Sequence, residues 1–179
     1  MTRTIAVDVD GVTAQIRPRE LLLESFEAGT PVPVTPPVVR SVLENNPLVA
    51  GAKEGLAELA SRWTVDLVTN RPELLRECTE TWADQYDLPV RQVRCVGTET
   101  SKGELSDVDV VVDDSLHNVV SAAEHGCAGI LFNDVSSQCD LRCDRQDVYV
   151  ADSWMDVVDI INEVLESPAR QMRTPVAAD

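Results

Sequence analysis

Short apolar runs alternate with amphipathic stretches along almost the whole chain, and this alternation limits the fold more than any other feature. Residues 4–10 (TIAVDVD), 64–70 (TVDLVTN), 90–97 (VRQVRCVG), 107–114 (DVDVVVDD) and 127–134 (CAGILFND) read as strands, with a short sixth at 146–152 (QDVYVAD). The unbroken apolar run of Val110, Val111 and Val112 fits a strand covered on both faces. Helical stretches lie between the strands. Residues 51–63 carry Leu56, Leu59, Ala60 and Trp63 on one face. Pro72 suits the first turn of a helix that runs to about Tyr86. A helix from Leu116 to His125 meets a stop at Gly126, and a last one covers Ser153 to Glu166 with Ser153 as its cap. Alternating β and α with buried strands predicts an α/β fold built on a doubly wound parallel sheet. In such sheets ligands bind outside the carboxyl ends of the strands, so the chemistry is expected where strands end.

One segment interrupts the pattern. Residues 15–50 hold a helix candidate at 18–29 (PRELLLESFEAG), the proline-rich 30–37 (TPVPVTPP) and a second helix candidate at 38–46 (VVRSVLENN). The expected organisation is a core of residues 1–14 and 51–167, a small helical cap insertion at 15–50 and a loose tail at 168–179.

Charge narrows the partners. Thirty-one acids face fifteen bases, for a net charge of −16. A field of that sign repels nucleic-acid polymers and anionic membranes, so neither is expected as a partner. Thirteen of the bases are Arg and only two, Lys53 and Lys102, are Lys. Excess acid with almost no lysine resembles the proteins of salt-loving microbes, in which high salt screens repulsion between surface carboxylates. No run approaches the roughly 18 apolar residues of a membrane span, and the N-terminus lacks signal-peptide features, so a soluble, cytoplasmic protein is expected. Cys78, Cys95, Cys127, Cys139 and Cys143 form no CxxC, and no His stands beside the closest pair, Cys139 and Cys143. They read as free thiols rather than a zinc site.

The strand ends carry a distinctive set. The first ends in Asp8, Asp10 and Gly11, the second in Thr69, Asn70 and Arg71, and the fourth in Asp113, Asp114 and Ser115. Lys102 lies in the loop before the fourth. Carboxylates that converge cannot all ionise without a cation, and Mg²⁺ takes oxygen ligands while keeping waters for a phosphate. A carboxylate can then act as nucleophile and a second as proton shuttle, with a hydroxyl, an amide and an ammonium around the phosphoryl oxygens. A small phosphorylated substrate is the expected partner.

In that order and at those places, DVDGV, LVTN, Lys102 and VVDDS resemble the four motifs of the haloacid dehalogenase (HAD) superfamily of phosphatases. The resemblance covers residues 4 to about 134. It implies that Asp8 is the nucleophile and a Mg²⁺ ligand. It makes Asp10 the general acid/base and a Mg²⁺ ligand through its carbonyl. Thr69 and the Asn70 amide bind the phosphoryl group, Lys102 holds nucleophile and phosphate, and Asp113 and Asp114 complete the metal site. Arg71 either contacts a substrate anion or makes a surface ion pair. Asp10 itself favours phosphate over halide chemistry, since a dehalogenase protonates no phosphate leaving group. The insertion and the DVDGV start are similar to the 5'(3')-deoxyribonucleotidase branch, but Phe26 is the only aromatic in residues 15–50, which weakens a base-stacking pocket. A 5'-nucleotidase, a phosphatase of another phosphometabolite such as a sugar phosphate, a phosphomutase and a non-catalytic Mg²⁺- or phosphate-binding protein all stay open. His117, Lys53, Asp107 and Asp109 read as solvated residues.

Overall fold

The computed structural model describes residues 2–15, 36–97, 100–133 and 147–167. The helix candidate at 18–29, Phe26, Cys139, Cys143 and the tail at 168–179 lie outside the described residues.

Strands β1 (Thr4–Val7), β2 (Thr64–Thr69), β3 (Gln92–Cys95), β4 (Val110–Asp113), β5 (Ala128–Phe132) and β6 (Val148–Ala151) form one sheet in the order β3-β2-β1-β4-β5-β6. Every pairing is parallel, with Ile5 opposite both Val65 and Val110. Helices α1 (Pro36–Glu44), α2 (Ala52–Ala60), α3 (Arg76–Gln85), α4 (Leu116–Glu124) and α5 (Trp154–Glu166) accompany it. Single 3₁₀ turns stand at Glu73–Leu75 and Lys102–Glu104. This is the doubly wound α/β architecture expected from the alternation.

Side chains alternate across a strand, and the core divides accordingly. Ile5, Val7, Val110, Val112 and Ile130 join Leu56, Leu59, Trp154 and Ile161 on one side of the sheet. Ala6, Val68 and Val111 meet Ala122 and Cys127 on the other. The polar tips of the two buried tryptophans are satisfied, which removes the cost of burying them. Trp82 donates to the Asn46 carbonyl at 2.7 Å, and Trp154 donates to the Val12 carbonyl at 2.9 Å. These bonds tie α3 and α5 to the chain on either side of residues 16–35.

Element ends match the sequence closely, with two instructive differences. Ser153 caps α5 by accepting from the Asp156 amide at 3.2 Å, as expected. Pro72, however, is extended (ψ 153°) and precedes a 3₁₀ turn instead of opening the helix. In that turn residues three apart eclipse, and Arg76 forks onto both carboxylate oxygens of Glu73. The other difference is strand length: β1 stops at Val7 and β4 starts at Val110.

Strand order reverses between β1 and β4. Strands β2 and β3 step away in one direction, β5 and β6 in the other. The crevice at a doubly wound switch point therefore opens beyond Val7 and Asp113.

Candidate active site

Asp8 is the first residue past β1. Its amide still donates to the Val112 carbonyl at 2.9 Å, so its direction is set by the sheet, and it is buried. The chain then turns sharply. Gly11 has φ +87°, a conformation that a side chain disfavours, and its amide donates to the Ala14 carbonyl at 2.8 Å. The Ala14 amide returns to the Val9 carbonyl at 2.7 Å, and the Thr13 hydroxyl donates to the Asp8 carbonyl at 2.7 Å. Val9 and Val12, both fully buried, pin the loop from below. Asp10 therefore stands on a rigid loop beside Asp8.

Asp113 ends β4 and is fully buried. Three N–H donors hold its carboxylate: Lys102 Nζ at 2.6 Å and Asn118 Nδ2 at 2.9 Å on Oδ2, and the Ser115 amide at 2.8 Å on Oδ1. Lys102 also donates to Asp8 Oδ1 at 2.6 Å and is 1% exposed. A lysine this deep needs its whole charge satisfied, and two carboxylates do so. Its approach depends on Gly103. A Cβ there would lie 2.6 Å from the Ala122 Cα, so only glycine lets the 3₁₀ turn press against α4 and aim Lys102 inward.

At the end of β2 stand Thr69, whose hydroxyl accepts from the Arg71 amide at 3.2 Å, and Asn70, whose side-chain Nδ2 donates to the Gly97 carbonyl at 2.6 Å. Asn118 reaches Asn70 Oδ1 at 3.3 Å and so joins the end of β2 to Asp113. Arg71 is buried and forks onto Asp10, Nε to Oδ2 at 2.9 Å and Nη2 to Oδ1 at 2.6 Å.

The site's electrostatics follow from this packing. Burial pushes the Asp8 carboxyl up to about 8; Lys102 pulls it down, while Asp113 and Asp10 push it further up. Burial alone would lower Lys102, but Asp8 and Asp113 outweigh it and hold the ammonium above its ordinary range. Asp8, Asp113 and Asp114 each offer a carboxylate oxygen, all within 4.8 Å of one another. An all-oxygen donor set at this spacing fits a hard cation such as Mg²⁺.

A cleft of about 400 Å³ lies over the cluster. Asp8, Asp10, Thr69, Asn70, Arg71, Asp113 and Asp114 all line it, so the residues singled out from the strand ends gather in one place, with Lys102 directly beneath Asp8 and Asp113. Val39 and Leu43 of α1, with Pro72 and Leu75, form an aliphatic wall.

Several contributors had not been singled out: Asn118, Thr13, Val39 and Leu43. Asn118 carried a readable signal, since it sits one helical turn beyond Asp114. Val39 and Leu43 carry none, because nothing local shows which face of α1 meets the cleft. Asp107 and Asp109 do lie at the opposite edge, but they are not simply solvated. Arg94 Nη1 contacts both Asp107 oxygens at 3.0 Å, and Asp109 accepts from the Thr4 amide at 2.9 Å and pairs with Arg3. His117 is exposed, and Lys53 is an exposed surface residue 3.8 Å from Asp87.

No protein-family model matches the chain, and no curated protein matches it by sequence. Solved structures do. A haloacid dehalogenase-like family hydrolase from Xanthomonas campestris superposes with a TM-score of 0.64 at 12% identity, over 96% of this chain and 99% of that one. The HAD-hydrolase YfnB from Bacillus subtilis, bound to magnesium, gives 0.60 at 14% identity, over 90% and 99%. The L-2-haloacid dehalogenase PA0810 gives 0.62 at 12% identity, over 90% and 100%. At these identities the likeness is one of fold: the chain has the α/β fold of HAD-like hydrolases.

Proposed function

We propose that the chain is a hydrolase of phosphoric monoesters that works through an aspartyl-phosphate on Asp8. The observation that carries this reading is the buried Lys102, bonded at 2.6 Å to both Asp8 and Asp113 beside Asp114, at the switch point of the sheet. Asp8, Asp113, Asp114 and the Asp10 carbonyl would hold a Mg²⁺. When bound, the cation screens Asp8 from the substrate's negative charge and offsets charge building on the phosphoryl oxygens.

In the reaction, an Asp8 carboxylate oxygen attacks phosphorus and the ester oxygen leaves with a proton from Asp10. Asp10 then takes a proton from the water that attacks the phosphoryl group, which frees phosphate and restores Asp8. The Thr69 hydroxyl, the Asn70 amide and Lys102 engage the phosphoryl oxygens. Asp113, held by three N–H donors, keeps Lys102 in place.

The leaving group would face the aliphatic wall of Val39, Leu43, Pro72 and Leu75. No aromatic side chain lines the cleft among the described residues, which favours a small phosphometabolite over a nucleotide stacked by its base. A 5'-nucleotidase is the alternative. The acidic composition suits a salt-rich cytoplasm.

The test is phosphate release with Mg²⁺ in molar KCl from nucleoside monophosphates, sugar phosphates and glycerol phosphates, with Asp8→Asn alongside. Turnover by the wild type alone is the expected result. Equal phosphate release by the two proteins on every ester would sink the enzyme reading and leave a binding protein.

A further inference from the structure

Arg71 is a costly residue to bury, and its contacts indicate its task. Its side chain is 5% exposed. The fork onto Asp10 uses Nε and Nη2, and Nη1 donates to the Thr79 hydroxyl at 2.9 Å. Thr79 in turn donates to the Leu75 carbonyl at 2.8 Å, so the guanidinium is anchored from α3. The backbone amide of the same residue donates to Thr69 Oγ1 at 3.2 Å. One residue thus touches both the proposed proton shuttle and the proposed phosphate-binding hydroxyl.

We propose that Arg71 is a positioning residue that fixes the carboxylate plane of Asp10, and not a ligand of the substrate's phosphate. The inference rests on Asp10 acting as the proton shuttle. The loop after β1 fixes the Asp10 backbone but leaves its carboxylate free to swing about the Cα–Cβ and Cβ–Cγ bonds. Two parallel N–H···O bonds from a planar fork remove that freedom. A lysine at this position is a point charge and cannot set a plane. The ordering cost is met in advance, because packing and Thr79 already immobilise Arg71.

A positioning role has a signature that a phosphate contact lacks. Protonation of the leaving oxygen matters for an alkyl phosphate and little for p-nitrophenyl phosphate, whose phenolate leaves readily. For Arg71→Met, kcat/KM on an alkyl phosphate is expected to fall about 10- to 100-fold, and on p-nitrophenyl phosphate less than about threefold. Arg71→Lys should recover little. In an Asp10→Asn background, Arg71→Met should add nothing, since the carboxylate it positions is gone. Thr79→Val gives a milder form of the same pattern and serves if Arg71→Met fails to fold.

An equal loss on both esters, with a raised KM and losses that multiply in the double variant, overturns the proposal and makes Arg71 a phosphate ligand. If the wild type hydrolyses neither ester, the phosphatase reading fails and this inference falls with it. An active wild type with multiplying losses overturns this inference alone.

Discussion

Asp8-Val9-Asp10 and Asp107-Val108-Asp109 are the same tripeptide, and the fold puts them at opposite edges of the sheet. The second pair sits where β1 and β4 begin. There Arg94 Nη1 bridges both oxygens of Asp107 and Arg3 pairs with Asp109. The Arg94 hydrogen bond, against a small burial cost, holds Asp107 below the usual carboxylate range. The first pair sits where β1 and β4 end. Asp8 there shares one lysine with Asp113, faces Asp114 and is driven up to about 8 by burial. At one edge arginines hold both acids; at the other Arg71 holds Asp10, while Asp8 crowds with Asp113 and Asp114 around one lysine. Excess charge in a cleft is what a cation and a reacting group can use; satisfied charge is structure.

Swapping the treatment between the two pairs is the strongest way to break this contrast. Asp8→Asn is expected to cut phosphate release at least about a thousandfold, while Asp107→Asn stays within about twofold. Similar losses from both would erase the distinction. Within the first pair, Asp10→Asn should cost about 10²- to 10⁴-fold on an alkyl phosphate, the range of a lost general acid/base, measured as kcat/KM.

The raised Asp8 carboxyl makes metal affinity pH-dependent. Below about 8 a cation must displace its proton. Mg²⁺ or Mn²⁺ affinity by titration calorimetry should therefore climb about tenfold per pH unit from pH 6 and flatten near pH 8. A flat profile would mean that Asp8 is already ionised in the metal-free protein.

Stability separates the pairs with opposite signs. The folded-state pKa of Asp8 lies above its unfolded value of about 4. Its contribution is thus present below that value and lost as pH rises through about 8. At pH 8 without metal, Asp8→Asn should raise the melting temperature by several degrees, a gain that added Mg²⁺ reverses by stabilising only the wild type. Asp107 is the ordinary case, with its pairing present above the unfolded pKa and lost in acid. Because that pair is half-exposed, Asp107→Asn should cost less than about 1 kcal/mol by denaturant unfolding.

Much of this was legible in the sequence because its causes are local. The short apolar runs mark six strands, and Ser153 and Gly126 mark helix ends that the structure keeps. The strand-end rule singles out Asp8, Thr69 and Asp113, which the fold brings to one cleft. Contacts made across the fold were not legible. Nothing near Arg71 in the chain announces that it meets Asp10, sixty-one residues away, or Thr79 on α3. The solvated reading fits the exposed Asp107 but leaves out its partners for the same reason: Arg3 and Arg94 reach Asp109 and Asp107 only once the strands are aligned. Lys102 is the exception among long-range contacts, because in a chain with two lysines its place before β4 is itself a signal.

The most direct measurement is a rapid-quench trap of the covalent intermediate. The protein is mixed with Mg²⁺ and its best phosphomonoester, quenched and reduced with borohydride, which converts an aspartyl-phosphate to homoserine, and mapped by peptide mass spectrometry. The expected result is homoserine at residue 8 only when both Mg²⁺ and the ester are present. Turnover with residue 8 unmodified, or with the reduced residue elsewhere, would contradict the assignment of Asp8 as the nucleophile.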